Sequence, residues 1–314
     1  MSLRDNFDTR PKVSEAGAVV SSGRFPKWLH RPLPVLRPLS ETHGVINSNR
    51  VHTVCEEAKC PNLLECYSKK TATFLVMGKE CTRNCGFCDI DFAKEPKALD
   101  GNEPERVAES AYELGLRHVV ITMVARDDLP DGGAKHLVEV LQAVRKRLPA
   151  ITVETLTSDF AGNFSALDLI IEEAPEIFNH NIETVRRITP QIRHKATYDR
   201  SLSLLSYVKK QKSKQLVKSG IMIGLGETKE EVTQTLQDLA EAQCDIVTIG
   251  QYLQASRKKL TVKEFIHPDV FLEYEQIGKS LGIPNLYAGP FVRSSYNSHL
   301  FVEKNNEKIV INSH

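Results

Sequence analysis

Six of the seven cysteines of this chain fall between positions 55 and 88. They form two sets of three: Cys55, Cys60 and Cys66 spaced C-x4-C-x5-C, then Cys81, Cys85 and Cys88 spaced C-x3-C-x2-C. Soft thiolates suit iron–sulfur sites, and three on one short loop can hold three corners of a cubic 4Fe–4S cluster. Three ligands leave one iron open to substrate. Structural zinc is the alternative for the second set, but zinc takes four ligands, commonly from C-x2-C-like pairs or nearby histidines. Two such pairs are not present, and His43 and His52 lie too far back to complete that loop. The first set could hold a second cluster, also with three cysteines, or form a zinc knuckle completed by His52. A fourth ligand could also come from a distant part of the chain.

The composition bounds what surrounds these thiols. At 314 residues, 41% hydrophobic and 26% charged, the chain reads as an ordinary globular protein with ample length for a core. Cysteine staples are not needed, and an odd number of clustered thiols points to metal. The net charge of +1 gives no overall field for nucleic acid or an anionic membrane. No apolar run approaches the roughly 20 residues that span a bilayer. The N-terminal "MSLRDNFDTRPKVSEAGAVV" lacks a signal-peptide core, so a cytoplasmic location is expected, where disulfides are rare.

The elements that must position the thiols follow from the apolar pattern. Short apolar runs at 71–78, 118–124, 151–157, 176–182, 216–225 and 245–253 read as strands. Helical spacing follows each, at 103–116, 133–148, 165–174, within 183–211, at 229–243 and at 269–282. Six strand-then-helix units give an α/β fold with a parallel sheet, either doubly wound or an incomplete barrel. In both, ligands gather at the C-terminal ends of the strands. The second cysteine set follows the first strand directly and so lies on that face. The proline-rich first fifty residues show no long periodic run and are expected to form an extended wrap, partly mobile at its tip.

Further features lie on the same predicted face. Phe87 precedes the last cysteine. Gly132 and Gly133 follow the second strand, and adjacent glycines let a backbone approach a ligand closely. Asn179, Asn181 and Glu183 follow the fourth strand as hydrogen-bond candidates for ribose and amine. The fifth strand ends in "GIMIGLGE", with Gly224 and Glu227. Taken singly these are ordinary turn or cap residues. Together, and in this order, they resemble the radical S-adenosylmethionine (SAM) superfamily, whose open iron chelates the amino and carboxylate groups of SAM. The glycine pair resembles that superfamily's loop against the SAM amino group, and "GIMIGLGE" its G-x-I-x-G-x-x-E pattern with Met222 in the isoleucine place.

The pairing of the two cysteine sets, with "HTVCEEAKCPN", "RDDLPDGGA", "FNHNIET", "YDRSL", "TIGQYL" and "GPFVRSSY", is similar to the lipoyl synthase family from about residue 25 to residue 300. The resemblance implies a partial (β/α)6 barrel of the radical SAM type over 71–285. An N-terminal extension, 1–70, would carry the auxiliary-cluster cysteines, and a C-terminal extension, 286–314, the R-S-S-Y motif. It implies two 4Fe–4S clusters: one on Cys81, Cys85 and Cys88 that cleaves SAM to a 5′-deoxyadenosyl radical, the other on Cys55, Cys60, Cys66 and Ser294, with Ser295 the alternative, as sulfur donor. A serine oxygen is a harder donor than thiolate, so its iron bond is the easier to release. The implied substrate is an octanoyl chain on a lysine of a lipoyl carrier domain or glycine cleavage H protein, thiolated at carbons 6 and 8. The implied electron donor is a protein such as flavodoxin or ferredoxin; neither nucleic acid nor membrane is an expected partner.

Ser158, Arg186, Asn297 and the missing glycine before Tyr198 depart from that family's pattern. They bear on substrate contacts and affinity, and no cluster ligand is among them. Cys244 reads as a small buried hydrophobe, and Trp28 as packing for the N-terminal wrap. The basic stretch from Arg193 to Lys218 reads first as a solvated helix face, with a dock for an acidic carrier domain as the functional alternative.

Overall fold

The computed structural model of the chain describes residues 25–31, 36–212, 215–296 and 298. In chain order its elements are α1 (Leu36–Ser48), β1 (His52–Thr53), α2 (Val54–Glu57), α3 (Leu63–Ser68), β2 (Thr73–Val76), β3 (Glu80–Cys81), β4 (Asp91–Phe92), α4 (Glu103–Glu113), β5 (His118–Met123), α5 (Ala134–Arg147), β6 (Thr152–Leu156), α6 (Phe164–Glu172), β7 (Ile177–Asn179), α7 (Thr189–Ile192), α8 (Tyr198–Gln211), β8 (Leu216–Ile223), α9 (Lys229–Glu241), β9 (Ile246–Gln251), α10 (Pro268–Ser280) and β10 (Asn285–Gly289). All six expected strands are present. They lie side by side in chain order, β2-β5-β6-β7-β8-β9, every pair parallel.

The period-2 alternation of a strand sorts the core. One face of the sheet carries Phe74, Val76, Ile121, Val153, Phe178, Val217, Val247 and Ile249, all fully buried. These pack against the apolar stripes of the helices, such as Leu137, Val140, Leu141 and Val144 of α5 and Leu236 and Leu239 of α9. Each such side chain contributes about 1.5–3 kcal/mol by leaving water. The other set of alternate residues, among them Leu75, Thr122, Leu156, Met222 and Thr248, turns to a single cavity, so the sheet is curled around it.

Two features differ from the expected organisation. The sheet continues beyond residue 285: β10 pairs in parallel with β9 from Asn285↔Ile246 to Gly289↔Gly250, as a seventh parallel strand. A boundary at 285 therefore cuts a strand. In addition, β1 joins antiparallel to β2 at the opposite edge.

The N-terminal region is also not an extended wrap throughout, because 36–48 is a helix. It was hidden because its most deeply buried positions are Thr42 and Ile46, which do not make an apolar period. Thr42 satisfies its hydroxyl by donating to the carbonyls of Pro38 (3.0 Å) and of Tyr67 in α3 (2.8 Å). Pro38 is tolerated because it sits in the first helical turn, where no backbone donor is needed. The tip of the N-terminus lies outside the described residues. Trp28 does pack as expected, edge-on to His267 with ring centroids 5.0 Å apart.

The sheet edges β1 and β10 do not pair with each other. The segment carrying the first cysteine set bridges the gap. Asn62 Nδ2 donates to Phe291 O at 2.8 Å, and Tyr296 OH donates to Glu65 Oε1 at 2.9 Å. Arg31 braces both, pairing with Asn62 Oδ1 (2.7 Å) and Glu65 Oε2 (2.6 Å) and stacking over the Phe291 ring at 3.9 Å.

Candidate active site

The cavity inside the curled sheet has a volume of about 360 Å³, within the range of small-molecule sites. Cys81, Cys85 and Cys88 line it together with Cys60 and Ser294. Residues from both cysteine sets and from the R-S-S-Y motif thus meet one space, although they are up to 234 positions apart in the chain.

The second cysteine set is held by backbone. Thr82 N donates to Ala125 O at 3.0 Å and Ala93 N to Cys81 O at 3.0 Å, while Gly86 N donates to Ile192 O at 2.8 Å. Leu260 N donates back to Gly86 O at 3.0 Å. Two amides point at sulfur: Arg83 N lies 3.4 Å from Cys81 Sγ, and His194 N lies 3.4 Å from Cys85 Sγ. Such donors favour thiolate. Burial works the other way. It pushes the Cys85 thiol up, and it pushes Cys88 up to about 12, with the neighbouring Cys85 adding to the shift. Thiols crowded this closely resist ionising together unless a cation compensates, and a coordinated metal deprotonates them outright. The donor set therefore fits a metal–sulfur cluster.

Arg83, inside the same loop, is buried and holds two carboxylates. It pairs with Asp127 at 2.7 Å and Asp159 at 2.6 Å. Burial pushes the Asp159 carboxyl up, but Arg83 more than offsets this and leaves it at about 2. The loops after β2, β5 and β6 are thereby tied together beneath the cysteines. Sequence reasoning passed over Arg83; its only signal was a charge between two cysteines.

The first cysteine set sits on α2, the turn after it, and α3. Cys60 N donates to Cys55 O at 3.0 Å. Burial, with Cys60 adding, raises Cys66 to about 11 and Cys55 further. The three thiols therefore sense one another, and the same argument for a compensating cluster applies. His52 Nδ1 is taken by Glu57 Oε1 at 2.8 Å. Among the described residues, no three His, Cys, Asp or Glu side chains form a mononuclear metal site.

The remaining predicted residues divide in two. Phe87, Asn181 and Glu183 line the cavity with the thiols; Gly132, Gly133, Asn179, Gly224 and Glu227 do not. Gly133, at φ +89°, allows Met77 to pack where a Cβ would lie 2.4 Å from its sulfur. Glu227 folds back to accept from the amides of Gly224 and Leu225, bracing its own turn. Glu183 is half-buried, and desolvation raises its pKa against the pull of Arg193. It adopts φ +71°, a strained value for glutamate.

Asn179 is fully buried. It donates to Glu154 Oε1 at 2.6 Å and to Ser294 Oγ at 2.7 Å, and Ser294 in turn donates to Asn181 Oδ1 at 2.9 Å. Asn179 and Asn181 are thus partners of the motif serine. Below them Glu154 and Lys218, both fully buried, form an ion pair at 2.9 Å that also takes in Ser298. Burial pulls the Lys218 ammonium down and Glu154 opposes it. A charge amid each of the apolar runs "ITVETLT" and "LVKSGIMIGL" was the available signal, since strands buried on both faces are otherwise near-continuously apolar.

Over 298 residues the chain is 65% identical to the lipoyl synthase of Protochlamydia amoebophila (strain UWE25), covering 94% of this chain and 92% of that one. It is 52% identical to the lipoyl synthase of Chlamydia trachomatis serovar D over 275 residues, 88% of each. The sequence profile of the Radical SAM superfamily matches residues 75–239. The chain belongs to the lipoyl synthase family.

As a radical SAM enzyme of that family it uses SAM and 4Fe–4S clusters. Solved structures share the fold. SuiB of Streptococcus suis bound to S-adenosylmethionine has a TM-score of 0.55 at 14% identity, over 73% of this chain and 54% of that one. Methylornithine synthase (PylB) has a TM-score of 0.51 at 14% identity, over 68% and 70%. The partial barrel expected from the sequence is this fold.

Much of the basic stretch is neutralised within the chain. Arg193 is buried and donates to Ile182 O and Ser201 Oγ; Lys195, Arg200, Lys209 and Lys218 pair with Asp127, Asp159, Asp245 and Glu154. Only Lys210 and Lys212 of the described members are exposed without a partner in these pairs, and Lys214 lies outside the described residues. Cys244 is buried, as expected. No helix among the described residues is long and apolar enough to cross a membrane.

Proposed function

We infer that this chain carries out the lipoyl synthase reaction on an octanoyl-lysine of a lipoyl carrier, joining sulfur to carbons 6 and 8. One observation carries the division of labour: Cys81, Cys85 and Cys88 line the same cavity as Cys60 and Ser294. When bound, the cluster on the first three with SAM supplies a carbon radical able to take hydrogen from an unactivated C–H bond, and the cluster on Cys55, Cys60, Cys66 and Ser294 supplies sulfide.

The chain's own residues do the rest. Cys81, Cys85 and Cys88 would hold the cluster through three thiolates, with the cavity beside them open to the SAM amino acid group. Asn181, Glu183 and Phe87 flank that position and are the SAM contacts we assign; Gly132, Gly133, Gly224 and Glu227 shape the loops behind them. Ser294 is presented by Asn179 and Asn181, which hold its hydroxyl between a donor and an acceptor. Leu75, Leu156, Met222 and Val292 supply apolar wall for a fatty chain. Such a wall excludes water and keeps the reacting carbon in near-attack range.

The carrier is a lipoyl domain or H protein, the reductant a flavodoxin or ferredoxin, and the setting the cytoplasm, in keeping with seven free cysteines. The test is anaerobic. Protein reconstituted with iron and sulfide receives SAM, dithionite and an octanoyl-lysine peptide. Two added sulfurs by mass spectrometry are expected; 5′-deoxyadenosine with no thiolated peptide would overturn the assignment.

A further inference from the structure

Asp89 is a junction of three segments. It follows Cys88 directly, and both of its carboxylate oxygens are engaged: Oδ2 by Lys59 Nζ at 2.5 Å and Oδ1 by Ser256 Oγ at 2.6 Å. Lys59 directly precedes Cys60. Ser256 lies in the loop after β9, whose Leu260 donates to Gly86 O and packs where a Cβ on Gly86 would lie, 3.0 Å away. Lys59 and Asp89 both line the cavity. A single carboxylate thus links the neighbour of Cys60 to the neighbour of Cys88.

The side chain of Asp89 is 9% exposed and that of Lys59 is 59% exposed. An ion pair with one partner so open to water contributes little to stability. Its effect lies in geometry. Cys55 and Cys66 are anchored on helices, whereas Cys60 lies on the turn between them, and the Lys59–Asp89 pair orients that turn toward the second cysteine set.

We propose that Asp89 is a positioning residue for the two-centre reaction. With Lys59 and Ser256 it sets how far the Cys60 turn stands from the Cys81–Cys88 loop, so that a carbon activated on one side of the cavity meets the sulfur source before it is quenched. The proposal rests on the division of labour under Proposed function. The geometry set by this pair is read in the ratio of SAM cleaved to C–S bonds formed, and not in SAM cleavage alone.

The experiment uses holoenzyme with an octanoyl-lysine peptide and compares wild type, Lys59→Ala, Lys59→Arg and Asp89→Asn. The ratio of 5′-deoxyadenosine to thiolated product is expected to rise at least about threefold in Lys59→Ala and Asp89→Asn, because small misplacements of reacting groups are costly. Lys59→Arg returns it toward wild type. In cluster-free protein, hydrogen exchange at the amide of Cys60, which donates to Cys55 O, is expected to quicken in Lys59→Ala with the melting temperature unchanged. An unchanged ratio in Lys59→Ala overturns the proposal, as does a lowered melting temperature with an unchanged ratio. If wild type makes no thiolated product, the functional reading fails instead. The exchange experiment then judges the link alone: faster exchange at Cys60 in Asp89→Asn supports it, and equal exchange overturns it.

Discussion

The two cysteine sets are built on opposite principles. Cys81, Cys85 and Cys88 lie within eight consecutive residues of one short loop after β2, which backbone hydrogen bonds to Ala125, Ile192 and Leu260 hold in place. Cys55, Cys60 and Cys66 lie on two short helices and the turn between them. Their assigned fourth partner, Ser294, arrives from the far end of the chain across a sheet gap closed by Asn62, Glu65 and Arg31. A cluster that must persist through many cycles is suited by a local, rigid loop. A cluster that gives up sulfide is suited by a site with a removable side, and a serine on a separate segment is such a side.

The largest expected effects separate the two sets outright. Cys81→Ala should reduce 5′-deoxyadenosine formation to background. Cys60→Ala should retain it and yet give no dithiolated peptide. Dithiolated product from Cys60→Ala would erase the distinction between the sets.

A subtler break acts on the far segment alone. A Cβ on Gly250 would lie 2.1 Å from Val292 O and 3.0 Å from Arg293 Nη1, so Gly250→Ala must push the R-S-S-Y segment away from β9. The expected outcome is loss of iron from the site of Cys55, Cys60, Cys66 and Ser294 with that of Cys81, Cys85 and Cys88 retained, measured by iron content and electron paramagnetic resonance. Equal loss of both would show that the two sites are not independent.

Beneath Ser294 the buried Glu154–Lys218 pair anchors Asn179 and Ser298. Glu154→Gln removes the carboxylate paired with the buried Lys218 ammonium, and breaking a buried pair in this way costs about 3–5 kcal/mol. Urea unfolding of wild type and variant measures it. A cost below about 1 kcal/mol would mean that water reaches the pair.

The smallest effect is a pH dependence at His180, which follows β7. His180 is buried, which lowers its pKa to about 4, helped by Arg193. Its Nδ1 lies 2.9 Å from Thr157 O, so that nitrogen carries the proton of the neutral ring. An unfolded chain takes up a proton near pH 6.5 that the folded chain refuses until about 4. Stability is therefore full above pH 6.5 and falls as pH drops from there to about 4, by on the order of 3 kcal/mol. His180→Gln should flatten that segment of the curve. An unchanged slope would assign the acid sensitivity to other groups.

Much of this was legible in the sequence, for reasons that differ by region. The six strands and their helices could be read because β2 and β5 to β9 are apolar runs and the helices that follow carry strong apolar stripes. β10 was missed because "NLYAG" is short and only partly buried, an edge strand whose identity comes from its partner β9. Helix α1 was missed because its buried face is built on a threonine whose hydroxyl is satisfied by the carbonyl of Pro38 in its own helix and by that of the distant Tyr67. The basic stretch read as a surface because the carboxylates that neutralise it, Asp127, Asp159, Asp245 and Glu154, lie far away in the chain.

By itself the sequence determined the chemistry and the fold: thiols at cluster spacing, strand-helix alternation, and motifs shared with a family over nearly its whole length. These are properties of neighbours along a chain, and local spacing encodes them. Only the tertiary structure decided that Cys60 of the first set shares one cavity with Cys81, Cys85 and Cys88, that Asn179 and Asn181 attend Ser294, and that Lys59 reaches Asp89. Those facts depend on how a curled sheet brings its two open edges together, and no local pattern of residue types specifies the side-chain contacts made across that gap.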